Sequence, residues 1–124
     1  MAKPGTVIGW ILDEDDRAAL LERYPPAYAN PVAGHVTLRS DAADHPLPNS
    51  VAGAILGHAD DGAGVEAMVV AIDGVTGRPD GSTYHITWSL ADGRRARESN
   101  DVLRTLGWTP FADPIPIRLT PGRI

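Results

Sequence analysis

Apolar and polar positions alternate along the chain in short blocks that predict mostly strands. Thr6 to Leu12 is a β-branched, aromatic run that predicts a first strand. It is apolar on both faces, which favours a central rather than an edge position. Asp13-Glu14-Asp15-Asp16 then supplies the cap and first-turn acids of a helix running to Arg23, with Ala18, Leu20 and Leu21 on its apolar face. Pro25-Pro26 ends it. Val51 to Gly57 and Val65 to Asp73 predict two strands, joined by the turn-forming stretch Ala59 to Gly64. Within the second, Met68-Val69-Val70-Ala71-Ile72 is apolar enough to be buried. Ser99-Asn100-Asp101 opens a second helix with Val102, Leu103 and Leu106 as its stripe and Gly107 as its stop. Pro114 to Thr120 predicts a last strand spaced through Ile115, Ile117 and Leu119.

Two more strands carry the candidate chemistry. Gly34-His35-Val36-Thr37-Leu38 and, within Ser82 to Leu90, Tyr84-His85-Ile86-Thr87-Trp88 share one form: His, β-branched aliphatic, Thr, large apolar. Side chains alternate across a strand, so His35 and Thr37 share one face while Val36 and Leu38 take the other. His85 and Thr87 stand in the same relation to Ile86 and Trp88, and Tyr84 falls on the core side. Two such strands facing each other gather two imidazoles and two hydroxyls around one small volume. That set suits in-line displacement at phosphorus: one imidazole takes a proton from the attacking oxygen and the other gives one to the leaving oxygen. The hydroxyls hold the non-bridging oxygens. Neutral and protonated imidazole coexist near neutral pH, which makes a histidine pair a natural acid–base couple.

The paired His-x-Thr motif resembles the 2H phosphoesterase superfamily. That family includes the bacterial RNA 2′,3′-cyclic phosphodiesterases, also called 2′-5′ RNA ligases, and the cyclic phosphodiesterase domain of fungal tRNA ligase. The resemblance spans His35 to Trp88 and extends loosely into the flanks. It implies a single domain over residues 1–124, with a compact two-lobed α+β fold of mostly antiparallel strands and two helices around a central cleft. It further implies His35 and His85 as catalytic residues and Thr37 and Thr87 as phosphate contacts. The implied activity is metal-independent hydrolysis of a 2′,3′-cyclic phosphate on a nucleotide or an RNA end, with no cofactor. The same four residues also suit a 2′-5′ or cyclic oligonucleotide substrate, or a module that holds a nucleotide or RNA end without turnover. The sequence leaves open which histidine is acid, whether the product is a 2′ or a 3′ phosphate, and the oligomeric state.

Composition narrows this further. The chain has 124 residues, 43% apolar and 22% charged, and no cysteine, which excludes a disulfide framework and any thiolate ligand or nucleophile. No apolar run is long enough to cross a bilayer, and Met1-Ala2-Lys3-Pro4-Gly5 lacks a signal-peptide core, so the expectation is a soluble, cytoplasmic protein without membrane contact. Net charge is −5, with a basic stripe only at Arg94, Arg95 and Arg97. This favours a small nucleotide or an RNA end over extended duplex or strand. His45 and His58 lack metal-ligand spacing and read as structural or solvent-exposed, and no metal site is expected.

Secondary candidates remain. Arg39 shares the face of His35 and Thr37, as a neutralising charge or a lip residue. Ser99 and Asn100 read equally as caps or as a phosphate anchor at a helix start. Tyr28, in the proline-rich connector, reads first as loop packing and second as a platform for a base. Arg78 reads first as a solvated loop residue and second as a cation within reach of a phosphate.

Overall fold

Residues 5–124 are described by a computed structural model, so Met1 to Pro4, part of the stretch inspected for a leader, lies outside the described residues. The elements run β1 (Ile8–Leu12), α1 (Glu14–Arg23), β2 (Asn30–Pro31), β3 (His35–Arg39), β4 (Gly53–Asp60), β5 (Val65–Ile72), β6 (His85–Leu90), α2 (Glu98–Leu106), β7 (Thr109–Ile117) and β8 (Leu119–Arg123). The class is α+β. The strands form a three-stranded sheet, β3-β1-β8, and a five-stranded sheet, β2-β6-β5-β4-β7. Neighbours in both pair antiparallel. No helix among the described residues is long and apolar enough to cross a membrane.

The two sheets share one core. Trp10, Leu12 and Val36 from the small sheet join Ile55, Met68, Val70, Ile86 and Trp88 from the large one in a single buried cluster. The alternate residues of β5, Val65 and Val69, face the other way and pack with Val102 and Leu103 of α2. This double cover explains why every residue of β5 is buried; the apolar run Met68 to Ile72 predicts it for that part of the strand, while Glu66 is a buried carboxylate that the run does not include. Trp10 meets Tyr84 edge-on, with ring centroids 6.0 Å apart. Both core indoles donate to backbone carbonyls, Trp10 to Asn49 and Trp88 to Tyr24, each at 2.9 Å. At Gly9 a Cβ would run into the Val36 carbonyl, so only glycine lets β3 lie this close to β1.

The structure departs from the sequence expectation at several places. The single C-terminal strand is two strands: β7 pairs with β4 in the large sheet, and β8 pairs with β1 in the small one. The chain changes sheets at Arg118. Asp16 holds this corner, its carboxylate accepting from the Arg118 backbone N–H at 2.8 Å and from the guanidinium at 2.9 Å. The alternation Ile115, Ile117, Leu119 continues straight through the change, so periodicity carries no sign of it. Asp13 caps α1 through the Asp15 and Asp16 amides, as its position predicts. Ala18 and Leu106, expected on apolar faces, are exposed. The second helix starts one residue early, at Glu98, with Arg97 at the cap position and no side-chain cap bond. Ser99 and Asn100 are therefore first-turn residues rather than caps.

Candidate active site

The segment before β3 explains how two strands from different sheets come to share a site. Asn30 and Pro31 pair with Leu90 and Ser89 of β6. The next two amides continue along β6, Val32 donating to the Trp88 carbonyl at 2.8 Å and Ala33 to the Thr87 carbonyl at 2.9 Å. The chain then turns at Ala33, whose φ is +45°, and β3 leaves to pair with β1. A left-handed alanine is strained by roughly 1 kcal/mol, and this one lies fully buried at the junction. The turn brings the face of His35 and Thr37 beside the face of His85 and Thr87. All four line one cleft of about 640 Å³, together with Arg78 and Asn100.

Each of these side chains is held by its neighbours. The His85 Nδ1–H donates to the Thr83 carbonyl at 2.8 Å, which fixes the tautomer and leaves the lone pair of the neutral ring on Nε2. Thr87 Oγ1 lies 2.9 Å from Ser99 Oγ and 3.3 Å from the Ala96 carbonyl. Ser99 is fully buried and so positions Thr87 from behind without lining the cleft. Arg78 crosses from its loop to both walls. Its guanidinium donates to the Thr37 carbonyl at 3.3 Å, to Asn100 Oδ1 at 2.8 Å and to Ser82 Oγ at 2.7 Å. Burial lowers the pKa of His35, and burial together with the Arg78 and His35 charges lowers that of His85. Both imidazoles are consequently mostly neutral at pH 7 in the open cleft.

The sequence-derived candidates divide accordingly. His35, Thr37, His85, Thr87 and Asn100 come together. Arg39 does not line this cleft; it is exposed, donates to His45 Nε2 at 3.0 Å and faces an adjoining hollow. Tyr28 is not a base platform in this cleft, because its hydroxyl donates to Asp60 Oδ1 at 2.5 Å, away from both histidines. Arg78 was expected to be solvated, yet its side chain is only 8% exposed. The signal for it was the sequence Arg78-Pro79-Asp80-Gly81-Ser82. Asp80 accepts from the Ser82 amide and folds the loop back upon its arginine.

His58 belongs to a different constellation. Its Nε2 meets Glu66 Oε2 at 2.7 Å, while Glu66 Oε1 accepts from Ser89 Oγ at 2.5 Å and from the Ala27 amide at 3.0 Å. The carboxylate lies between the serine and the imidazole, so the histidine has no contact through which to activate that hydroxyl. Ser89 is fully buried besides. The network fastens the connector at Ala27 and Tyr28 to the sheet. Among the described residues, no group of three or more His, Cys, Asp or Glu side chains is arranged to hold a metal ion. No protein-family model, curated protein or solved structure significantly matches this chain, so its function must be argued from the cleft itself.

Proposed function

We propose that this protein is a metal-independent phosphodiesterase of the 2H type, hydrolysing a 2′,3′-cyclic phosphate at a nucleotide or RNA end. The observation that supports this most is the convergence of both His-x-Thr strands, from different sheets, on one cleft. In this reading the Thr37 and Thr87 hydroxyls and the Arg78 guanidinium bind the non-bridging phosphate oxygens. One imidazole takes a proton from water as the water oxygen bonds to phosphorus. The bond from phosphorus to the 2′ or 3′ oxygen breaks, and the other imidazole, protonated beforehand, gives that oxygen its proton. The products are a phosphomonoester and a free hydroxyl, with the protonation of the two histidines exchanged.

The lowered pKa values fit this scheme once substrate is present. An anion beside a neutral imidazole favours the charged form, so the phosphate itself recruits the proton that the acid needs. The compact two-lobed 2H architecture belongs to the same proposal, with the small and large sheets as the lobes.

The test is incubation of purified protein with nucleoside 2′,3′-cyclic phosphates and a short RNA ending in one, in EDTA. The expected result is conversion to a monophosphate, lost in His35→Ala and in His85→Ala. Absence of turnover with a folded protein, or full activity in either variant, overturns the proposal.

A further inference from the structure

The cleft carries more positive charge than one phosphate requires. Its lining includes Arg78, Arg94, Arg95 and Arg97 and no Asp or Glu, in a protein whose net charge is −5. Arg78 lies beside the histidine pair, its Nε 3.3 Å from the largely exposed Asp80 carboxylate, and is the cation placed for the single negative charge of a cyclic phosphodiester. The other three stand on the turn that leads into α2. Arg94 is engaged there, its guanidinium 3.0 Å from Asp61 and 3.1 Å from Glu98.

Arg97 differs. It is exposed and forms no ion pair with any described residue. The carboxylates nearest it in the chain already have other partners. Glu98 accepts from Arg94 and from the Arg95 amide, and Asp101 pairs with Arg104 at 2.8 Å. Arg95 and Arg97 also border a neighbouring hollow with Glu98 and Asp101, but on the cleft side the cations are grouped with no Asp or Glu in the lining, which concentrates positive potential and attracts an anion.

We infer that the rim at Arg97, with Arg95 beside it, is a second phosphate subsite that takes the phosphate one nucleoside away from the reacting one. This rests on the reading of the histidine cleft as a phosphodiester site. It makes the preferred substrate a strand end, or a nucleotide carrying a further phosphate, in place of a bare nucleoside cyclic phosphate.

The experiment compares binding of adenosine 3′-monophosphate and adenosine 3′,5′-bisphosphate by calorimetry, in wild type and Arg97→Glu. Thermal melting checks that the variant folds. Wild type is expected to prefer the bisphosphate about tenfold, as for one charge-assisted contact, and Arg97→Glu to abolish that preference. Equal wild-type affinity for the two ligands, no binding of either, or a preference that survives Arg97→Glu overturns the subsite. A dinucleotide 3′-phosphate in the same titration separates a terminal monoester from the next diester of a strand as the recognised group. Activity is a separate readout. A bisphosphate preference lost in Arg97→Glu, without turnover of any cyclic phosphate, removes the hydrolytic reading and leaves the subsite standing. Turnover with equal kcat/KM for cyclic phosphates with and without a 5′-phosphate does the reverse.

Discussion

His85 and His58 stand on strands of the same five-stranded sheet, yet their surroundings treat the imidazole in opposite ways. His85 is buried with a carbonyl on Nδ1, and Arg78 and His35 close by, so its protonated form is disfavoured and its pKa falls. His58 is bonded to the Glu66 carboxylate, which raises its pKa against the opposing effect of burial. Burial pulls Glu66 upward in turn, and the hydrogen bonds from His58, the Ala27 amide and Ser89 outweigh it to leave the carboxyl lowered. Histidine by itself therefore says little about role; what the ring touches decides. An imidazole fastened to a carboxylate is a structural cation. One fastened only to a carbonyl, with its other nitrogen left over in a cleft, can exchange protons with a ligand.

The sharpest way to break this contrast is to delete the rings. His35→Ala and His85→Ala are each expected to lower kcat by about 10²–10⁴-fold while substrate binding stays within about tenfold, because acid–base groups act mainly in the transition state. Single-turnover assays and calorimetry separate the two quantities. Glu66→Ala is the counterpart. It strands a buried serine and the His58 ring, and is expected to cost about 3 kcal/mol of stability, or about 10 °C in Tm, with kcat/KM changed less than about threefold. A Glu66 variant that melts normally but loses turnover would place the His58 network in the chemistry and end the contrast.

Thr87→Val tests the site's second layer. It keeps the shape, removes the hydroxyl that the proposed mechanism assigns to phosphate and leaves Ser99 without that partner, so kcat/KM should fall by about 10- to 100-fold with a stability loss of about 1 kcal/mol.

The smallest effects are in pH dependence, where the two regions pull in opposite directions. His35 and His85 have folded values below the ordinary 6.5. The unfolded chain binds their protons first, and stability falls as pH drops from 6.5 through the lowered values. His58 has a folded value above 6.5 and Glu66 one below 4.5. That pair contributes fully between those two pH values; the His58 share is lost as pH rises through its raised pKa, and the Glu66 share as pH falls through its lowered one. Melting curves across pH should therefore lose the part of their decline that begins just above pH 6.5 in His58→Gln and part of their acid decline in the His35→Ala, His85→Ala double variant. For turnover, one ring must be protonated and one not, so the maximum of kcat/KM is expected below pH 6.5.

What the sequence revealed and what it hid follow from how local each cause is. Strand alternation and residue identity are local, so β3, β6 and their four cleft residues were legible, as were the buried run of β5 and the Asp13 cap. The change of sheet at Arg118 depends on Asp16, far away in the chain, and leaves the period-two pattern undisturbed. β2 exists because Asn30 and Pro31 meet Leu90 and Ser89, a pairing that two residues cannot announce alone. Arg78 and Ser99 acquire their places from partners across the fold, and Tyr28 is turned away by Asp60. Two short motifs singled out the four side chains, while the turn at Ala33 supplies the reason that they can meet in one cleft.

The two core indoles have a practical consequence. Of the three tryptophans, Trp10 belongs to the small sheet and Trp88 to the large one, and both lie in the cluster between them. Trp88 also forms the back of the strand whose front carries His85 and Thr87. Two of the molecule's three indole emitters thus lie at the junction and the rear wall of the cleft. Separation of the sheets should shift that emission to the red as the indoles meet water, and the protein supplies its own optical reporter for the joint on which its candidate site depends.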